Sequence, residues 1–313
     1  MIDLYPTQLS HPDAANALVA LLQPHLPHSL TILGYLFHSC RPNPSGFQEP
    51  QVEVWSTIPP AEPPSAGVFS VLLFSPADAQ FRLFCSADSS AGPAEAAEEA
   101  HVVGVMRSAT RIADGNPRYR TIVSLPSGDQ PPNAVAMIFV GSVHEKWARC
   151  LAPHAPRMNP CVKFLCPPRP AATVAPPHRE WAVGRLEEAD LERVRAASGI
   201  ARSREYLLER LTASVCVRAD GLPVAWALVH ADGSIGPLHV EDAQRRRGLG
   251  RLVMRALVEQ LGGADGAGGG ALGWNWTDVV AANEKGSEFM RSLEGWEEGW
   301  MCYWVFMAAS ASS

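Results

Sequence analysis

The sequence carries no excess of positive charge. Its 26 lysines and arginines are outnumbered by 32 aspartates and glutamates, giving a formal net charge of −6 over 313 residues. A chain without a global basic field is a poor match for general nucleic-acid binding. It also lacks an uninterrupted apolar run of the roughly 18 residues that a membrane span needs. Its opening, MIDLYPTQLSHPDAANALVALL, has no basic segment followed by a long apolar one. Neither membrane insertion nor a secretory signal is expected, and the Arg-rich pattern of a transit peptide is missing too. The expected compartment is the cytoplasm, with mitochondria as the alternative.

Cysteines are few and scattered: Cys40, Cys85, Cys150, Cys161, Cys166, Cys216 and Cys302. Cys161 and Cys166 form a close pair, but no second pair or neighbouring histidine completes a zinc site. Reduced thiols and no metal are the expectation. Two nucleotide signatures are also absent. No glycine loop ends in Lys-Ser/Thr as a P-loop does, and no G-x-G-x-x-G opens a βαβ unit.

What is present begins with size. The length, with 47% hydrophobic residues, suits one large domain or two ordinary ones with a sizeable core. Proline density divides the chain. Pro59–Pro64 reads as a surface connection, and Pro153–Pro177, with PHAPRMNP and PPRPAATVAPP, reads as an extended linker. In the first half Ala14–Leu22 reads as a helix. Leu30–Phe37, Gln51–Thr57 and Val68–Phe74 read as strands. Cys85–Ala100 reads as a loop turning helical near Pro93, with Glu95, Glu98 and Glu99 on a solvated face.

The second half is more legible. Glu187–Ser198 and Ser203–Leu211 read as helices, with Ser203 as an N-cap. A three-stranded meander follows: Ser214–Val217, Val224–His230 and Ile235–Val240. Asp220-Gly221 and Asp232-Gly233 mark its turns. Within the third strand, Gly236-Pro237 predicts a bulge or splayed edge, because proline cannot donate to a ladder. Leu249, Val253, Ala256, Leu257 and Leu261 then fall on one face of a helix that Gly262-Gly263 ends. After a glycine-rich loop come a strand at Ala271–Val280, a helix at Glu284–Leu293 and a last strand at Trp300–Met307. Trp274 and Trp276 would share a face and serve the core, with an acyl pocket as the alternative. Arg202 and Arg204 suit a helix surface or an acceptor carboxylate.

The most distinctive stretch is Gln244-Arg245-Arg246-Arg247-Gly248-Leu249-Gly250-Arg251. It joins a strand to a helix. Helix-start N–H groups without internal partners, glycines that permit close approach and forked arginine donors together describe a phosphate or pyrophosphate cradle.

Arg245-x-x-Gly248-x-Gly250 after a meander resembles the acyl-CoA loop of the GNAT acyltransferase superfamily. Asn283-Glu284-Lys285-Gly286-Ser287-Glu288-Phe289-Met290, followed by Leu293-Glu294-Gly295-Trp296, resembles its next strand–helix element. GLPVAWALVHADGSIGPLHV is similar to the glycine N-acyltransferase family. So is LPHSLTILGYLFH (Leu26–His38) with Val54-Trp55 behind it. The likeness is strong over 214–307 and thinner before 60, and 61–180 has no counterpart. It implies an α+β (mixed α/β) chain of tandem GNAT-like folds, each a central, mostly antiparallel sheet flanked by helices. A degenerate, non-binding copy would span 1–165, a Pro-rich linker 166–180, an acyl-CoA-binding copy 181–308 and a disordered tail 309–313.

The activity implied is transfer of an acetyl or longer acyl group from acetyl-CoA or another acyl-CoA to an amino group. The acceptor would be a small amine or an amino acid such as glycine, with no metal, nucleic acid or membrane involved. A non-catalytic acyl-CoA-binding or regulatory protein is the alternative. Cofactor-binding residues would be Arg245, Arg246, Arg247, Gly248, Leu249, Gly250 and Arg251 in the loop. Leu238, His239 and Val240 would meet the pantetheine arm, and Asn283 and Ser287 come from the later helix. Ser234 stands where the family has a glutamate base, so Ser234, Asp232 and His239 are the catalytic candidates, with His230 nearby. Met290 stands where many relatives carry a tyrosine acid, and Tyr303 or Cys302 would have to substitute.

Overall fold

The computed structural model describes residues 2–9, 12–39, 52–59, 67–76, 78–127, 130–168, 181–200, 202–262 and 273–308. Cys40, most of the Pro59–Pro64 connection, most of the 166–180 linker, the 263–272 loop and the 309–313 tail lie outside them. The chain divides into two units. One comprises Met1–Lys163, Asp278–Ser287 and Gly299–Ser313, and the other Phe164–Thr277 and Glu288–Glu298. Among the described residues no helix is long and apolar enough to cross a membrane.

The elements of the larger sheet are β1 (Tyr5–Thr7), β2 (Glu53–Ser56), β3 (Ser70–Ser75), β4 (Gln80–Cys85), β5 (Thr121–Ser127), β6 (Gln130–His144) and β7 (Arg157–Cys166). Two late strands join them, β12 (Asn275–Val280) and β13 (Glu297–Ala308). Their order is β1-β2-β3-β4-β6-β13-β7-β12, with β5 on β6. Most neighbours whose register is defined run antiparallel. β4 and β6 run parallel, through Phe81↔Val140 and Arg82↔Gly141.

The core of the first unit lies between this sheet and α3 (Ala96–Asp114). Val102, Val105, Met106, Ala109 and Ala113 recur at helical spacing and are all fully buried, so one stripe of α3 covers Phe74, Phe81, Leu83 and Val140. Each buried large side chain contributes about 1.5–3 kcal/mol. Phe74 and Tyr119 meet edge to face, with centroids 4.7 Å apart. α1 (Pro12–Leu22) and the four-residue α4 (Ala148–Leu151) complete this unit together with α2 (Leu30–Ser39).

Two sequence expectations are corrected here. Leu30–Phe37 is the helix α2, not a strand. Residues 29–36 are all buried, so the polar stripe that would have marked a helix is absent. The second correction concerns Pro153–Pro177, read as a linker throughout, which contains β7. Cys161–Cys166 are all buried, and Pro160 sits at the exposed half of the strand.

In the second unit, β8 (Ala182–Gly184), β9 (Ser214–Ala219), β10 (Leu222–Leu228) and β11 (His239–Val240) form a sheet ordered β11-β10-β9-β8. The β9–β10 turn places Asp220 at φ 50° and Gly221 at φ 79°, the paired positive angles of a tight hairpin. α5 (Leu191–Ala197) is tied to β9 by Arg218, which holds Asp190 through contacts of 3.1 and 2.6 Å. α6 (Arg204–Glu209) starts at Ser203, whose hydroxyl accepts from the Tyr206 N–H at 3.1 Å. α7 (Leu249–Gly262) packs on β9 and β10 through Leu249, Val253, Met254, Leu257 and Leu261, all buried. α8 (Glu284–Arg291), the last helix, begins in the first unit and ends in the second.

Candidate functional site

The arginine loop enters from β11. After a 3-10 turn at Asp242–Gln244, Arg246 takes φ 65° and Gly248 φ 79°. These left-handed residues turn the chain so that α7 begins at Leu249. The first amide bonded within the helix is Leu252, to the Gly248 carbonyl at 3.0 Å. The amides of Leu249, Gly250 and Arg251 precede it and have no backbone acceptor among the described residues. α7 has no acidic residue in its first turn.

Arg246, Arg247 and Arg251 are exposed around these amides. Arg245 is turned to the base of the loop. It pairs with Asp242 at 2.7 Å and donates to the Val240 carbonyl at 3.2 Å. Leu249 is buried and anchors the loop, as is Gly250, which lies against the Phe289 ring. A Cβ on Gly248 would meet nothing within 4 Å, so its face of the loop is open. Amides without a backbone acceptor, exposed guanidinium groups and an open face at Gly248 fit a pyrophosphate.

The strand before the loop is broken as Gly236-Pro237 predicts. Ile235 bridges Val229, and His239 pairs with Trp226. Three residues, 236–238, therefore face two, 227 and 228, which is a one-residue bulge. Gly236 still donates to the Leu228 carbonyl at 2.9 Å, and Glu241 to that of Val224 at 2.9 Å. Ladder alternation then turns the His239 amide toward β10 and those of Leu238 and Val240 away from it, to the edge of the four-stranded sheet. Without the extra residue, the Leu238 amide would be spent on β10. On its other side, Ile235 donates to the Trp276 carbonyl at 2.8 Å, and its own carbonyl accepts from the Thr277 hydroxyl at 2.7 Å.

Ser234 and Asp232 come together. Asp232 Oδ1 accepts from the Ser234 hydroxyl at 2.6 Å and from the Ser234 amide at 3.0 Å, and both residues are buried. His239 lies apart from this pair. Its ring stacks on Trp226 at 4.4 Å, and its Nε2 is 3.8 Å from a Glu241 carboxylate oxygen. His230 is better placed than its proximity in sequence indicated. Its Nδ1 is 2.8 Å from the Tyr206 hydroxyl, and its Nε2 would be 3.2 Å from a Cβ on Gly236.

Asn283 and Ser287 belong to the other unit. Asn283 Oδ1 accepts from the Gly286 amide at 3.0 Å, and its carbonyl accepts from the Ser287 amide at 3.1 Å. Asn283 therefore acts as the N-terminal cap of α8. Ser287 is buried. Met290 is buried as well. Cys302 is fully buried in β13, and its thiol is pushed well above the ordinary range by a hydrogen bond with Cys161 and by burial.

A cavity of about 580 Å³ in the first unit was not visible in the sequence. It is lined by His28, Asp88, Ser90, His144, Lys146 and Arg149, among others, and by none of the predicted site residues. Burial pushes the Asp88 carboxyl up to about 7, against the pull of the Cys85 amide and the Trp147 indole N–H that it accepts. Burial takes His28 down to about 4 and His144 to about 3. Among the described residues no group of three or more His, Cys, Asp or Glu could hold a metal ion.

Residues 216–305 match the family model described as FR47-like protein. No curated protein matches the chain. Among solved structures, a Drosophila protein is similar over 99% of this chain and 100% of its own, at 15% identity and a TM-score of 0.63. A tandem GNAT protein from the clavulanic acid biosynthesis pathway is similar over 100% of both chains, at 14% identity and a TM-score of 0.51. A GCN5-related N-acetyltransferase from Kribbella flavida aligns over 76% of this chain and 86% of its own, at 18% identity and a TM-score of 0.46. At these identities the likeness is one of fold. The chain has a mixed α+β, tandem GNAT fold, with an FR47-like segment over 216–305.

Proposed function

We propose that the protein is an acyl-CoA-dependent N-acyltransferase. It would move an acetyl or longer acyl group from CoA to the amino group of a small amine or an amino acid such as glycine. The observation that carries this reading is the bulge before the arginine loop. One extra residue turns the Leu238 and Val240 amides to the sheet edge, a few residues ahead of an open, arginine-rimmed helix start.

Acyl-CoA would supply the thioester. The Gly248–Arg251 amides, with Arg246, Arg247 and Arg251, would hold its pyrophosphate, and Arg245 would brace the loop from below. The Leu238 and Val240 amides would meet the amide-rich pantetheine arm. Leu238, next to Pro237, would donate to the acyl carbonyl as negative charge develops there. Asn283 would order the start of α8. Ser234 and Asp232 would serve as a buried polar pair beside the reacting centre. His239, stacked on Trp226, would fix the strand.

The first unit is read as the copy that does not bind acyl-CoA. Its helix α3 has Glu95 as N-cap and Glu98 and Glu99 in the first turn, which oppose a phosphate where α7 has no acid. Asp88, ahead of that helix, accepts from the indole N–H of Trp147, and both are buried.

Thiol release from acetyl-CoA and a longer acyl-CoA, measured against a panel of amines that includes glycine, tests the reading. Release that depends on the amine supports it. Calorimetric binding of both CoA esters without release in any pairing would replace it with a non-catalytic acyl-CoA-binding role.

A further inference from the structure

The cavity of the first unit lies outside the carboxyl ends of β4 and β6, the parallel pair whose connection carries α3. Residues 88–94, which follow β4, line it on one side. His144, the last residue of β6, lines it with Glu145, Lys146 and Arg149. Crevices beyond the carboxyl ends of parallel strands are common ligand seats in open sheets. At about 580 Å³ the space falls within the roughly 300–1,000 Å³ of small-molecule sites. Gly92 takes φ 95°, and a Cβ on it would meet nothing within 4 Å, so its face of the loop is open.

Two of the charged groups are already engaged. The Lys146 ammonium donates to the Ala87 carbonyl at 2.9 Å and to the Ser90 hydroxyl at 2.5 Å, and it lies 3.1 Å from a Glu98 carboxylate oxygen. Asp88 accepts from the Cys85 amide with one oxygen and from the Trp147 indole with the other. Glu99, Glu145 and Arg149 remain, and none of the three forms an ion pair among the described residues. Two imidazoles complete the lining. Both are neutral at pH 7, since burial holds His28 at about 4 and His144 at about 3. His144 Nδ1 accepts from the Lys146 amide at 3.1 Å, so its proton is on Nε2, which is a donor. His28 Nδ1 is buried with no hydrogen-bond partner among the described residues.

A simple anion suits this lining poorly, because Glu98 and Glu99 stand in the first turn of α3. A simple cation leaves Arg149 and the His144 donor without an acceptor. A ligand that carries both charges satisfies both sets of groups. We propose that the cavity is a binding site for an α-amino acid in its zwitterionic form. Glu99 and Glu145 would hold the ammonium, and Arg149 and the His144 Nε2–H would hold the carboxylate. The open face at Gly92 leaves room for a side chain. No residue of the arginine loop lines this cavity, and the inference does not rest on the N-acyltransferase reading.

The test is titration calorimetry of the full chain with glycine, leucine and phenylalanine, each set against its decarboxylated amine and its deaminated acid. The same titrations are run on Arg149→Met and Glu99→Gln, with melting curves for both, and ring signals of His28 and His144 are followed by NMR in wild type. The expected result is that at least one amino acid binds, with its amine and its acid each at least tenfold weaker. Both variants should lose at least tenfold in affinity while melting close to wild type, and the bound amino acid should move both ring signals. An amino acid that binds equally well to wild type and both variants, or that leaves both ring signals in place, binds elsewhere and overturns the inference. So does an amine or an acid that binds as tightly as its amino acid, or a wild type that binds none of the three. None of these outcomes bears on thiol release from acyl-CoA, which tests the enzyme reading by itself.

Discussion

Gly250 lies against Phe289: a Cβ built on the glycine would stand 3.2 Å from both Cε2 and Cζ of the ring. The contact sets how closely the start of α7 approaches α8, and any side chain at 250 must displace an aromatic ring. Gly250→Val should cost about 1–3 kcal/mol through overpacking. Adding Phe289→Leu should recover part of that loss, since contacting residues are not additive. Urea unfolding of the two single variants and the double variant measures the coupling. Additive losses would mean that the ring is not what the new side chain meets.

Lys163 and Asp278 form a contact of 2.6 Å with side chains only 3% and 12% exposed. A charge held this far from water is costly once its partner is gone. Asp278→Ala should therefore destabilise the first unit by about 3–5 kcal/mol. The double variant Lys163→Met/Asp278→Leu should lie much closer to wild type. Denaturant midpoints decide this, and a double variant as weak as Asp278→Ala would contradict it.

These two relationships also show where the sequence is legible and where it is not. The tight turn at Asp220-Gly221, the Ser203 cap, the Gly236-Pro237 bulge and the glycine–arginine loop are local. Each depends on backbone angles or proline chemistry that a few residues determine, and the structure bears them out. The helix at Leu30–Ser39 was hidden because burial on every side erases its period. β7 was hidden because Pro160 and its neighbours resemble a linker, while the buried Cys161–Cys166 run is too short to announce a strand. The turn that precedes α7 follows from the spacing of Gly248 and Gly250. The pairing of Tyr206 with His230 joins residues 24 apart and depends on where α6 settles.

Stability depends on pH through His28, His144 and Asp88. His28, stacked on Trp300 at 4.2 Å, is lowered from 6.5 to about 4, and His144 to about 3. Burial leads both shifts. Nearby positive groups add to them: His25 and Lys163 for His28, and His28, Lys163 and Lys146 for His144. The unfolded chain takes these protons first, so the stability they give above pH 6.5 is lost as pH falls toward 4 and then 3. Asp88 acts in the opposite sense. Raised from 3.8 to about 7, it stabilises fully below 3.8 and loses that contribution as pH rises through 7. Two histidines outweigh one carboxyl on the acid side, so from these groups stability should peak at about pH 6.5 and fall by about 1.4 kcal/mol per pH unit below it. Thermal melts from pH 8 to 5 check this, and His144→Gln should flatten the acid limb.

The central claim is that the exposed arginines and the backbone amides at the start of α7 hold the pyrophosphate of acyl-CoA. Titration calorimetry with acetyl-CoA, on wild type and on Arg246→Glu/Arg247→Glu, tests it most directly. Both positions are exposed, so the variant should melt close to wild type. The account predicts micromolar binding by wild type that weakens as salt rises, and at least a tenfold loss of affinity in the variant, as expected for charge-assisted phosphate contacts of about 1.5–3 kcal/mol. Equal affinity in the two proteins, or no binding by wild type, would contradict it.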